Sequence, residues 1–267
     1  MASESDAKQL RADQFKHYGE IEFIRKKPNT FIGSVTPATV TDGVLVVSRA
    51  PPETSNDDGE DAPATKTKLS LEQRQLTVVP GFQKLCKEVL ENAFDASKRD
   101  KSVTHITLEL RDNSYVVGNN GAGITTDNHP DTGKPVPSMI FFDLRTSSNY
   151  EAERGQAIGQ NGLGVKLASI FADRVCVTVH DQVAKKKFVQ VSTDGLQKVT
   201  APKLTNIDGK KSGGVRVEVW PALSPFFGAG DTTIPVDELL SLERAALDMA
   251  AESSVRITLV RKYAGLN

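Results

Sequence analysis

The order in which the apolar period changes along the chain limits its fold more than any other feature. Between Gly81 and about Lys98 the apolar residues Phe82, Leu85, Val89, Leu90, Ala93 and Phe94 recur at spacings of three and four, which predicts an amphipathic helix. The period then drops to two. In "THITLELR" Ile106, Leu108 and Leu110 alternate with polar neighbours, and with "SYVVGN" this run reads as a strand hairpin. Past a glycine-rich stretch come "RVCVTVH", "KKFVQVS" and "GVRVEVW" with turn residues between them, then a helical "PVDELLSLERAALDMAAE" and a closing strand "SVRITLVRK". Strands that follow one another, with two or three helices among them, leave helices for only one face of the sheet. The expected class is α+β, a two-layer sandwich. Strand and helix do not alternate and no GxxxxGK[ST] loop is present, so a doubly wound nucleotide fold is excluded.

Upstream, the first residues to about Tyr18 have little apolar periodicity and read as an arm, residues 1 to 19. "EIEFIRKKPNTFIGSV" brings Ile21, Phe23 and Ile24 up to a Pro-Asn turn, and "TDGVLVVSRA" reads as a strand. The polar, acidic "PPETSNDDGEDAPATKT" has too little apolar surface to order itself, so a mobile loop is expected near residues 51 to 70 of a single domain spanning 20 to 267. Thirty-three basic and thirty-four acidic side chains give a net charge of −1, so no basic field covers the whole surface, and any DNA contact must be local or lie elsewhere. The two cysteines, Cys86 and Cys176, sit in apolar segments, which argues against a disulfide framework or a zinc site. No apolar run is long enough to span a bilayer, and a soluble, intracellular protein is expected.

Three clusters carry chemistry. Glu88, Asn92 and Asp95 are spaced four and three apart and share one helix face, where oxygen ligands suit magnesium and a carboxylate can orient a water. A solvated helix face is the plain alternative. In "VVGNNGAGIT" a tight turn explains Asn119, Asn120 and Gly121, whereas Gly123 allows a close backbone approach to a flat ligand. In "IGQNGLGVKLASIF" Gly159, Gly162 and Gly164 permit a loop whose amides converge on an anion at a helix start, and Lys166 adds a cation in the first turn. Ser147, Ser148 and Asn149 in "LRTSSNY" supply short donors. A flexible loop capped by a buried helix is the alternative there.

Taken in order, these clusters resemble the layout of the GHKL ATPase superfamily, the Bergerat fold with a mixed, mostly antiparallel sheet. More narrowly, "KKPNTFIGSV", "VVPGFQKLCKEVLENAFDASKRD", "NNGAGI", "TSSNY" and "GQNGLGVKLASIFA" are similar to the corresponding motifs of the ATPase domain of eukaryotic and large-DNA-virus type IIA DNA topoisomerases. The resemblance implies ATP and Mg2+ as ligands, Glu88 as general base, Asn92 as magnesium ligand and Lys166 as a catalytic cation. It implies that Asn120 reads adenine, with Gly123 and Asp95 nearby. Ser147, Ser148 and Asn149 would touch phosphates or ribose, and Gln160, Asn161, Gly162, Leu163, Gly164 and Lys166 would hold the triphosphate. It further implies an ATP-dependent homodimer, DNA engaged through other domains, and a nuclear or viral-factory location.

Departures from the pattern are Gln160 in place of an arginine, Phe15 in place of a tyrosine in the arm, and Val215 or Gly214 where a threonine often lies near adenine. The transducer and DNA-cleavage domains of that family are not represented, so cleavage of DNA by this chain alone is not expected. An ATP-gated clamp of the chaperone or mismatch-repair kind, or a non-catalytic nucleotide-binding dimerisation module, is the alternative reading.

Overall fold

The computed structural model describes residues 16–49, 67–144, 163–208 and 213–264. Two short helices, α1 (Glu20–Lys26) and α2 (Pro28–Phe31), lead into a long hairpin of β1 (Ala38–Arg49) and β2 (Thr67–Val78). The hairpin is a separate two-stranded sheet. Then come α3 (Pro80–Arg99), β3 (His105–Arg111), β4 (Tyr115–Asn120), α4 (Val136–Phe142), α5 (Gly164–Ile170), β5 (Ala172–Asp181) and β6 (Lys186–Thr193). The chain continues through β7 (Lys198–Val199), β8 (Lys203–Asn206), β9 (Gly214–Pro221), α6 (Ser224–Phe227), α7 (Val236–Ala251) and β10 (Arg256–Lys262).

The main sheet has the order β10-β3-β4-β9-β5-β6-β7, with β8 also pairing β6. Every pairing is antiparallel except β10 with β3. This is the expected mixed, mostly antiparallel α+β architecture. All six apolar residues that defined the helical period are buried on α3. They pack on the inward positions of the strands, such as Ile106, Leu108 and Leu110 of β3, Val117 of β4, Val177 of β5 and Val217 of β9. Alternation in β3, β5, β6 and β9 leaves the opposite face half-exposed. The helical layer therefore covers one face, and the functional residues of α3 and α5 lie within it.

A smaller core of Val44, Leu76, Val78 and Leu240 fastens the hairpin to α7. No helix among the described residues is long and apolar enough to cross a membrane. Most of the expected mobile loop and of the N-terminal arm lie outside the described residues, and the last positions expected in that loop, 67–70, instead pair with β1 as the start of β2.

Candidate functional site

Glu88 and Asn92 project from one face of α3, one turn apart. The Asn92 amide donates to the Glu88 carbonyl at 2.7 Å, the back-bond that lets an asparagine sit inside a helix and leaves its Oδ1 as an available acceptor. Burial lifts the Glu88 carboxyl above the usual range; the neighbouring Glu91 and Asp95 charges push the same way, and Lys84 opposes them. Such a carboxylate holds a proton more readily than a solvated one. Asp95, one turn further, is 3% exposed, and Lys98 Nζ lies 3.7 Å from its Oδ1. It sits deeper than its two partners.

Facing α3 is the start of α5. Gly164, the first residue of that helix, is so close to Glu88 that a Cβ there would collide with the carboxylate. This is a through-space reason for glycine, and it places the first turn of α5 directly against the carboxylate. Leu163 precedes it at the cap, its carbonyl accepting from the Leu167 amide at 2.8 Å. Lys166 is 1% exposed; burial lowers its ammonium to about 8, while Asp143 at the end of α4 opposes the shift. Ser147, Ser148, Asn149, Gln160, Asn161 and Gly162, expected to complete the lid, lie outside the described residues, as does Phe15.

Asn120 departs from its expected role. Its Oδ1 accepts from the backbone amides of Thr104 and His105, both at 2.9 Å, and its Nδ2 donates to Thr104 Oγ1 at 3.0 Å. The side chain thus pins the start of β3 from the open face of the sheet. Asn119 is the residue that shares the inward face with Tyr115 and Val117, and its cross-strand neighbour is Val215, not Gly214. Period-two counting from Val117 is the sequence signal that singles it out.

Gly123 also has a different cause from the one expected. Its φ is +86°, and a Cβ would run into the His180 carbonyl, with the Gly214 amide 3.4 Å away, so the turn packs on the sheet's own backbone. Asp100 clamps the same turn by accepting from the Ala122 amide at 3.1 Å and from the Ser102 hydroxyl at 2.6 Å. Asp181 anchors the next segment of chain, accepting from the Thr126 amide at 2.7 Å. Neither aspartate carries a recognisable spacing in the sequence.

Among the described residues no group of three or more His, Cys, Asp or Glu side chains is placed to hold a metal. An open cavity of about 730 Å³ lies elsewhere, between α1, Leu144 and Gln197, and contains none of the residues above.

The family model described as "Histidine kinase-, DNA gyrase B-, and HSP90-like ATPase" matches residues 77–224. The chain is 32% identical over 255 residues to DNA topoisomerase 2 of Plasmodium falciparum, covering 92% of this chain and 16% of that protein. It is 33% identical over 237 residues to DNA topoisomerase 2-alpha of Gallus gallus, covering 88% of this chain and 14% of that protein. The solved ATPase region of Saccharomyces cerevisiae topoisomerase II superposes with a TM-score of 0.79 at 27% identity, covering 93% of this chain and 61% of that one. The ATPase and transducer domains of DNA topoisomerase II from Balamuthia mandrillaris give a TM-score of 0.78 at 25% identity, covering 94% of this chain and 60% of that one. The chain therefore spans a small part of its curated relatives.

Proposed function

The chain belongs to the histidine kinase-, DNA gyrase B- and HSP90-like ATPase family, and on that premise we propose that it is the ATP-binding and ATP-hydrolysing part of a type II DNA topoisomerase. The topoisomerase assignment rests on its similarity to DNA topoisomerase 2 proteins and to their solved ATPase regions. The observation that carries the chemistry is the apposition of Glu88, one turn from Asn92 on α3, with the Gly164 end of α5.

In this reading the nucleotide lies over the inward face between α3 and α5. Glu88 accepts a proton from the attacking water, a task favoured by a carboxyl held above its ordinary range. The residues fit magnesium: Asn92 offers one hard oxygen because its nitrogen is held by the Glu88 carbonyl, and magnesium takes few protein ligands and keeps several waters. When bound there it would neutralise charge on the phosphates. Lys166 supplies a cation at the start of α5, and Asn119, facing inward beside Val215, is the better-placed adenine reader. ATP-dependent closure of two copies would gate DNA passage in the nucleus or a viral factory.

The test is Glu88→Gln, which keeps the side chain's shape and removes the base. Turnover should fall about 10²-fold or more with ATP binding nearly intact. Unchanged turnover in a contaminant-free preparation would overturn the assignment.

A further inference from the structure

The helical layer leaves one face of the main sheet uncovered by any described helix, and that face has a charge very different from the chain's total of −1. Strand register places eight basic and two acidic side chains at its paired positions. The two acids are each shared among bases: Glu109 contacts Arg111 and Lys262, and Glu218 contacts Arg111 and Arg216. Lys198 is paired with Asp194 in the adjoining turn at 3.3 Å.

Four cations remain. Among the described residues, Arg174, Lys187, Lys203 and Arg256 have no acidic side chain in ion-pair reach. Arg174 is held over the Trp220 ring at 4.6 Å, and Arg256 lies 3.4 Å from His105. They are spread from β10 at one edge to β8 at the other. With strands about 4.8 Å apart, that width is roughly 30 Å.

We propose that this open sheet face is a docking surface for the phosphate backbone of a nucleic-acid duplex. The inference uses no part of the nucleotide site and stands apart from the topoisomerase reading. A duplex presents one negative charge per roughly 1.7 Å of axis, a rigid array that suits cations fixed across a rigid sheet. Single strands are bound by rows of aromatic side chains, and at the paired positions of this face Trp220 is the one aromatic residue, already covered by Arg174. An acidic peptide is recognised by clustered arginines, and here the four cations are dispersed over strands from β10 to β8. Among the described residues this face consists of paired strand positions with no helix on it to enter a groove, so binding is expected to be independent of sequence.

The experiment measures anisotropy of a labelled mixed-sequence DNA duplex against the 267-residue chain, without nucleotide, between about 50 and 200 mM salt. Four phosphate contacts give a slope of log K on log salt near about −3.6, and Lys187→Glu/Lys203→Glu should reduce it to about −1.8 with at least a tenfold loss of affinity at the low-salt end. The control, Lys26→Glu/Lys27→Glu, makes the same change in net charge on the helical side and should leave both unchanged. Absence of duplex binding at low salt, equal losses in the two variants, or tighter binding of polyglutamate than of the duplex would each overturn the proposal. ATP binding by the same proteins, measured separately, tests the nucleotide site alone.

Discussion

Gly164→Ala separates the chemistry of the site from the stability of the fold. The new Cβ would sit 2.8 Å from the Glu88 carboxyl carbon and closer still to one of its oxygens. Optimal carbon contacts lie near about 3.5–4.0 Å, so the carboxylate must swing away by roughly 1 Å. The backbone is not strained, because residue 164 opens a helix and alanine there is favoured over glycine by roughly 0.4–1 kcal/mol through the unfolded state. The colliding group is the far end of a flexible side chain, so the strain is relieved by that movement alone. A general base displaced by about 1 Å costs on the order of 10²-fold in turnover, about 2.7 kcal/mol of transition-state stabilisation. The amide of residue 164 is retained, so ATP binding should change little. Steady-state turnover, calorimetry of ATP binding and a thermal melt of the same preparation decide the matter. Turnover within about threefold of the parent, less than about 1 kcal/mol of barrier, would refute the placement of Glu88 as base. A collapsed melting temperature would refute the claim that the carboxylate alone absorbs the clash.

Lys166→Ala should weaken ATP much more than adenosine, because charge-assisted contacts to phosphate are the strong ones, and equal losses by calorimetry would make the lysine structural. Burial holds the parent lysine near about 8, so a bound triphosphate should restore its proton, and ATP binding near pH 8 should show proton uptake as a buffer-dependent enthalpy that the variant lacks. Without nucleotide the folded value lies below the unfolded 10.5, so the unfolded chain binds more protons between about 8 and 10.5. The lysine's cost to folding accordingly shrinks as pH rises through that window. Asn119→Ala should weaken ATP and lose one local bond, from its Nδ2 to the Asn120 carbonyl, whereas Asn120→Ala should leave ATP affinity near the parent's and lose about 1 kcal/mol of stability from two amides without their acceptor. The reverse pattern would return the adenine contact to Asn120.

Elements are legible in the sequence to the extent that burial depends on period. Helix α3 is legible because its six apolar residues all face the core, and β3 because Ile106, Leu108 and Leu110 have polar neighbours half in solvent. Strand β2 is not, because its register exposes Leu69 and Leu71 on the hairpin's outer side, so apolar residues there do not report a core. Adjacent asparagines at 119 and 120 are equivalent in composition and opposite in direction; only the strand's phase, fixed by Val117, separates them. Gly123 and Gly164 look alike in one dimension, yet one yields space to the His180 carbonyl and the other to a carboxylate from a different helix. The open face is hidden for the same reason, since its cations come from several strands and the net charge of the chain averages them away.

The position of α3 depends on two glutamates that, by spacing alone, belong to an ordinary amphipathic helix. Glu238 and Glu243 of α7 are both fully buried. Glu238 accepts from the Val79 amide at 2.6 Å and pairs with the Gln83 amide, while its neighbour Asp237 accepts from the Thr77 amide at 2.7 Å. Val79 is the cap of α3 and Gln83 lies in its first turn, so α7 sets where the site helix begins. Glu243 accepts two bonds from Arg261 at 2.6 Å and one from the Tyr263 hydroxyl at 2.8 Å, and Arg261 also donates to the Leu45 carbonyl of the hairpin at 2.8 Å. Leaving one member of such a buried set without its partner costs about 3–5 kcal/mol, which is why the set holds as a unit. Burial lifts Glu238 to about 7 even against the Gln83 and Val79 donors, so the anchor beneath α3 is a carboxyl that takes up a proton near neutral pH. The geometry of Glu88 is therefore fixed from two directions: α7 and its donors set the start of α3, and Gly164 of α5 sets how near the second helix can come.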